Sequence, residues 1–378
     1  MLKVCQIFCR RKKEGFVEKE TGIVYHLGMM DEKKSRRTLL FKILAPILTV
    51  FFTLLLLEGG MRLLDWAQKE KTIQEQMTEM LKEAGQLYPP PDKLFSQVLE
   101  RESLGHKNHP SMGLSLRDYD YPVEKPANTY RIIGLGDSFA WGWGVADNRR
   151  TTFKYLECWL NEAGDGKNYE VINCAQPAKT VNYYESFVEE YSGKFHPDMF
   201  LILYNLNDSY LPHASMVVDK RTEMLMQEQK DPLSDVSRLY RFVKKRIVKK
   251  SVHDYTVGHI KEGYFGPEAE QKWGKAQENL KEIQRVCREK NIELVVAIFP
   301  LLFELEKKYP FRKEVEEMER FLKSSQIRSV NLLPSFIGKK TFVLWSRPTD
   351  SHPNRFAHRI AAETIYRYLK QHVLARGS

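Results

Sequence analysis

The chain has 378 residues, 42% of them hydrophobic, and a net charge of +10. It is too long for one typical domain of roughly 100–200 residues, but not for one large α/β domain with attachments. Its apolar content is ample for a sizeable core.

The charge is concentrated at the start. Residues 1–38 hold ten Lys and Arg against five acids, a net +5 and half of the total. Such a block suits nucleic acid or a membrane-flanking leader, and its neighbour decides between them. Leu39–Leu57, LLFKILAPILTVFFTLLLL, carries one charge, Lys42, near its start. At about 1.5 Å per residue this stretch roughly spans the hydrocarbon core, and Lys42 can reach the headgroups. Lys and Arg before the span predict a cytoplasmic N-terminus, residues 1–38, with the rest of the chain outside. A cleaved signal peptide and a buried core helix are the competing readings. The long basic lead and the lack of an A-x-A site after Leu57, where Glu58-Gly59-Gly60-Met61-Arg62 follows, favour an uncleaved anchor. A start at Met29 or Met30 would leave an ordinary short basic leader.

Five cysteines are present, and Cys158, Cys174 and Cys287 follow the span. Three is odd and the spacings match no metal motif. Buried thiols are expected, with no disulfide framework and no metal site; a single disulfide is the alternative.

Residues 58–91 read as a stalk and linker. Leu63–Gln86 is polar and largely helical in pattern, and Tyr88-Pro89-Pro90-Pro91 stops it. The remaining domain, 92–378, opens with a loop-like polar stretch to 128. Strands are predicted at Tyr130–Leu135, Tyr169–Asn173, Met199–Tyr204, Ile292–Phe299 and Ser329–Leu332. Helices are predicted at Thr151–Ala163, Val181–Tyr191, Gln271–Lys290, Glu314–Ser324 and Arg355–His372. Short apolar strands alternating with amphipathic helices imply a parallel sheet covered on both faces. Residues 213–265 read as an insertion carrying a basic helix, Ser237–Lys250. Outside a membrane that helix does not suit nucleic acid. It suits a solvated face, anionic headgroups or an acidic polymer.

Four places carry chemistry, each just after a strand or before the last helix, where open α/β sheets bind ligands. Gly136-Asp137-Ser138 puts a small hydroxyl at a strand end, although Asp and Ser are also common turn and cap residues. Pro177-Ala178, in VINCAQPAKT, makes a tight turn whose backbone N–H can face an oxyanion, or it is a plain βα loop. Asn207-Asp208 offers a side-chain amide donor braced by a carboxylate, or an Asx turn. Asp350-x-His352 pairs a carboxylate with an imidazole at the start of the last helix, so that Asp350 can fix the tautomer of a base. His358 lies within that helix and is read as outside the site.

Together these stretches resemble the SGNH (GDSL-type) hydrolase superfamily, in particular its membrane-anchored bacterial members. The match runs over about residues 130–372 and includes the anchor ending LLEGGMRLL, Leu56–Leu64. The resemblance implies a flavodoxin-like three-layer α/β/α sandwich with a parallel sheet, here preceded by one transmembrane helix. It implies Ser138 as nucleophile, His352 as base and Asp350 as its orienting acid. Ser138, Ala178 and Asn207 would supply the oxyanion hole. Two departures stand out. Ala178 replaces the usual glycine, which matters if the backbone there needs positive φ. Asp350 and His352 are two residues apart where the family often has three.

The expected activity is therefore an extracytoplasmic serine esterase acting on acyl, including acetyl, esters of cell-envelope or exported polysaccharide or lipid. An O-acyltransferase of the same fold and a non-catalytic polysaccharide-binding scaffold are the alternatives. A flavodoxin-like cofactor binder is disfavoured because G-x-G-x-x-G and a phosphate loop are missing. No metal or organic cofactor and no nucleic-acid partner is expected. A membrane-bound biosynthetic partner stays unspecified.

Overall fold

A computed structural model describes residues 20–67, 73–87, 107–109, 114–209, 232–347 and 350–377. Residues 1–19 with Cys5 and Cys9, the Tyr88–Pro91 stop and the first part of the expected insertion, 213–231, lie outside the described residues. The described chain divides into two units, residues 1–69 with 232–243, and residues 70–231 with 244–378.

The first unit is built on α1 (Glu20–Ala67), whose stretch Leu40–Leu64 is long and apolar enough to cross a membrane. None of that stretch is buried by the protein. It runs past the expected end at Leu57 because Gly59 and Gly60 do not interrupt the helix and Met61, Leu63 and Leu64 continue its apolar run. Further along α1, Glu58 accepts hydrogen bonds from Ser237 Oγ (2.8 Å) and from the N–H groups of Arg238 (2.9 Å) and Leu239 (2.8 Å). Those N–H groups open a later helix and have no acceptor within it.

The second unit begins with α2 (Ile73–Leu87), inside the stretch expected as a free stalk. Its apolar residues recur at helical spacing, and Met80 and Ala84 are buried in the domain core. The stalk expectation is corrected for this segment: a helix with a buried stripe belongs to the domain it packs on. A short antiparallel pair, Lys107–His109 with Leu114–Leu116, lies in the stretch expected as loop.

The central sheet has five parallel strands: β1 (Thr129–Gly136), β2 (Asn168–Asn173), β3 (Met199–Asn205), β4 (Glu293–Phe299) and β5 (Arg328–Asn331), in the order β2-β1-β3-β4-β5. Every residue of β3 is buried, as a strand covered on both faces requires. The helices, in chain order, are α3 (Ser138–Trp141), α4 (Thr152–Glu162), α5 (Val181–Tyr191), α6 (Pro232–Val236), α7 (Arg238–Phe265), α8 (Lys275–Glu289), α9 (Arg312–Ser324), α10 (Leu333–Phe336) and α11 (Arg355–His372). α4 packs against α11, and α5 against α8. β1–α4–β2 steps one way along the sheet and β2–α5–β3 steps back over β1, so right-handed crossovers put α4 and α5 on opposite faces. The result is the expected flavodoxin-like three-layer sandwich. A hairpin, β6 (Trp345–Arg347) with β7 (Asp350–Pro353), precedes α11.

The basic helix is longer than its expected Ser237–Lys250 and forms α7. Its far end is core, with Ile260 and Tyr264 buried and the Tyr264 hydroxyl 2.8 Å from that of Tyr204 on β3. The expected insertion therefore ends before those residues. Cys158, Cys174 and Cys287 are buried free thiols, and burial pushes the Cys287 thiol up to about 12. Charged groups are buried as well, Lys154 among them. Lys154 contacts Asp118 (2.7 Å), Glu157 (3.0 Å) and the Tyr121 hydroxyl (2.7 Å). The two carboxylates in turn accept the backbone N–H groups of Asn173 (2.6 Å) and Val171 (2.8 Å) on β2. This network ties residues 118–121 to the edge of the sheet.

Candidate active site

The order β2-β1-β3 places three of the expected residues side by side. Ser138 follows β1, Ala178 follows β2 and Asn207 follows β3, all at carboxyl ends of neighbouring strands, where the strand order reverses.

At the end of β1 the chain turns from strand to helix within one residue. Asp137 is the N-cap of α3, its Oδ1 accepting from the Phe139 N–H at 2.8 Å. Phe139 and Ala140 are buried beneath, so the turn is held from below and Ser138 opens the helix, half-buried. Its N–H has no acceptor within the helix.

Ser138 Oγ lies 2.9 Å from His352 Nε2, and His352 Nδ1 lies 2.5 Å from Asp350 Oδ1. With Nδ1–H donating to the carboxylate, Nε2 is the acceptor for the serine proton. Asp350 Oδ1 also accepts the His352 backbone N–H at 3.1 Å. The short spacing of these two residues has a simple cause. They stand on β7, where residues i and i+2 point to the same face. Burial would raise the Asp350 pKa, but the hydrogen bonds and charge of His352 outweigh it and hold the carboxyl below its ordinary value. Asn354, just beyond, caps α11 by accepting from Phe356 (2.9 Å) and Ala357 (3.2 Å), while its amide donates to Val343 O (2.7 Å) and Trp345 O (3.0 Å). It thereby locks the hairpin that presents His352.

Asn207 lies in a short 3₁₀ turn, Leu206–Ser209. Its Nδ2 donates to Asp137 Oδ2 at 3.1 Å, which leaves the second hydrogen of the amide for an oxyanion. Asp208 braces the same turn by accepting the Asn205 N–H at 2.9 Å. Burial, with the charge of Asp137 adding to it, raises Asp208 well above the usual carboxylate range. Burial likewise raises Asp137.

Ala178 has φ +59. Pro177 precedes it and Lys179 N–H closes the turn onto Gln176 O at 3.3 Å, the pattern of a type II turn, whose third residue needs positive φ. This position therefore does require the left-handed backbone that favours glycine, and alanine adopts it at a cost. His358 lies outside the site, as expected. It is buried with Nδ1 2.8 Å from Thr152 Oγ1, and burial holds its pKa down to about 3.

Sequence reasoning missed the role of Asp137, which links the Ser138 turn to Asn207. Nothing in Gly-Asp-Ser distinguishes a capping Asp from one that also holds a partner amide.

No family model and no curated protein sequence matches the chain. Among solved structures it is similar to a lipolytic protein of the G-D-S-L family from Desulfitobacterium hafniense DCB-2, at 12% identity over 63% of this chain and 98% of that one, with a TM-score of 0.38. It is similar to TesA at 13% identity over 64% and 98%, TM-score 0.41. A third likeness is to Axe2, an acetylxylan esterase from Geobacillus stearothermophilus, at 13% identity over 63% and 93%, TM-score 0.41. Likeness at this level carries nothing about the reaction, and what the site does is read from Ser138, His352 and Asp350 themselves.

Proposed function

We propose that the protein is a serine esterase, held at the membrane by Leu40–Leu64 with its enzymatic domain outside the cytoplasm. It acts on acyl esters of cell-envelope or exported polysaccharide or lipid. The observation that supports this reading most is the chain Ser138 Oγ, His352 Nε2, His352 Nδ1, Asp350 Oδ1, with spacings of 2.9 and 2.5 Å.

In this reading Ser138 Oγ attacks the ester carbonyl as its proton passes to His352 Nε2. Asp350 stabilises the imidazolium that forms. The tetrahedral oxyanion is met by the N–H groups of Ser138 and Ala178 and the Asn207 amide. His352 then gives its proton to the leaving alkoxide, and an acyl-enzyme remains on Ser138. Water activated by His352 releases the acid. A sugar hydroxyl in place of that water would make the same site an O-acyltransferase.

The full chain in lipid nanodiscs, incubated with an O-acetylated polysaccharide and a second, unacetylated glycan, tests the reading. Free acetate, lost in Ser138→Ala, is the expected result. Acetate appearing on the second glycan would identify a transferase. Glycan binding that persists in Ser138→Ala, with neither product from the wild type, would overturn the enzymatic reading in favour of a binding scaffold. The proposed orientation is tested by protease accessibility of a C-terminal tag in intact cells. Cleavage only after the outer barrier alone is opened supports it.

A further inference from the structure

Three residues after Ser138 the sequence reads Trp141-Gly142-Trp143-Gly144, and the reaction above uses none of it. The structure shows what the two glycines do. Gly142 ends α3 at φ +86, its N–H donating to Ser138 O at 3.2 Å, and the Trp143 N–H donates to the same carbonyl at 3.0 Å. A Cβ on Gly142 would lie 2.5 Å from Thr151 Cγ2, and one on Gly144, at φ +81, 2.4 Å from Ser346 Cβ. Both positions need a left-handed backbone with no side chain. Arg117 fastens the loop from its buried side. It donates to Gly142 O at 2.5 Å and to Val145 O, and stands 4.6 Å over the Trp141 ring.

What this loop holds out is Trp143. Its indole is 46% exposed. The ring centre lies 6.2 Å from that of His352 and 5.7 Å from that of Trp141. Phe139 is also near the imidazole, at 5.4 Å, but it is buried. An aromatic face kept rigid and open beside the base is placed to meet whatever passes the base.

We infer that Trp143 forms the alcohol-side subsite, on which the pyranose ring of an acylated sugar stacks while Ser138 attacks its ester. The inference rests on the esterase reading and narrows its substrate from polysaccharide or lipid to an acyl sugar. The side follows from the chemistry. His352 Nε2 protonates the leaving alkoxide, so the alcohol portion lies along the imidazole, and among the described residues Trp143 is the exposed ring there. The class follows from the surroundings. An acyl chain needs an apolar trough that covers it on several sides. Trp143 has side-chain-free glycines on both flanks, and Gly144 is itself exposed. On the nearby β6 strand Ser346 is buried beneath Gly144, and the next residue, Arg347, is exposed. One flat apolar face, open and uncovered, matches a pyranose, which offers a face of C–H groups.

The test uses the full chain in nanodiscs, carrying Ser138→Ala so that the ester is not consumed, titrated with partly acetylated xylotriose by calorimetry. Binding is expected in Ser138→Ala. Adding Trp143→Tyr keeps affinity within about threefold, whereas adding Trp143→Ile, apolar but not flat, weakens it at least about tenfold, as for loss of an aromatic anchor. Near-ultraviolet circular dichroism checks that each variant is folded. Equal binding by the Tyr and Ile variants, or no oligosaccharide binding in Ser138→Ala, overturns the subsite. Failure of the esterase reading looks different: Ser138 of the wild type would not react with an ester-mimicking phosphonate, while the Tyr-over-Ile preference for sugar would remain.

Discussion

Ala178→Gly isolates a strained position beside the proposed oxyanion. Alanine in the left-handed region costs roughly 1–2 kcal/mol relative to glycine. The replacement also loosens the unfolded chain, which costs about 0.4–1 kcal/mol. Ala178 is exposed at φ +59, so its methyl group contributes little packing to lose. The two terms leave a net stabilisation between nothing and about 1.5 kcal/mol, with about 0.5–1 kcal/mol the central expectation. In urea this is a higher midpoint at unchanged slope, and on heating a rise of roughly 2–4 °C per kcal/mol. Hydrolysis of a soluble acetyl ester should be retained, because the N–H proposed to face the oxyanion is kept. Destabilisation by more than about 1 kcal/mol would refute the reasoning, since it would mean that the methyl group packs or that the turn does not need positive φ.

Other changes probe the rest of the molecule. Asp350→Asn keeps shape but not charge and should cut kcat by about 10⁴-fold with folding intact; a loss under about tenfold would remove Asp350 from the proposed triad. Because burial holds the folded pKa of Asp208 above its unfolded value of about 3.9, its contribution is fully present below about pH 4 and is lost as pH rises through the folded value. Urea melts of wild type and Asp208→Asn at about pH 5 and about pH 7 should show the wild type losing stability relative to the variant as pH rises; parallel behaviour would contradict this. Met80→Ala, in the helix first read as a stalk, should cost about 2–5 kcal/mol, and no measurable cost would return α2 to the status of a free linker. Lys154→Ala leaves Asp118 and Glu157 buried without their cation and should cost about 3–5 kcal/mol in the same melts.

Much of this was legible in the sequence, for physical reasons. Runs such as Met199–Tyr204 and Ile292–Phe299 are apolar at every position, which only a strand covered on both faces tolerates. The helices between them carry period-3.6 stripes, so the layer arrangement followed. Ser138, Asn207 and His352 could be singled out because each stands close to where a strand stops or a helix begins. Other features hid for equally definite reasons. Ile73, Met77, Met80, Ala84 and Leu87 form a helical stripe that was visible, but its polar neighbours and its place after an apolar span favoured a stalk. The extent of α7 was obscured because its basic half reads as solvated and its last turns as core. Positive φ at Ala178 was half-written in Pro177, which sets up a type II turn, while the alanine itself argued against it. The bond from Asn207 to Asp137 joins residues on two different strands, and no local pattern encodes it. Trp143 showed no signal beyond its glycines, since an exposed indole and a buried one read alike.

The central claim is that Ser138 is an activated nucleophile. The most direct measurement is reaction of the full chain in nanodiscs with a fluorophosphonate, with the adduct mapped by mass spectrometry. The account predicts a single adduct on Ser138, absent in Ser138→Ala and strongly slowed in His352→Ala. A folded wild-type chain that stays unmodified, or one modified elsewhere at the same rate in all three proteins, would contradict it.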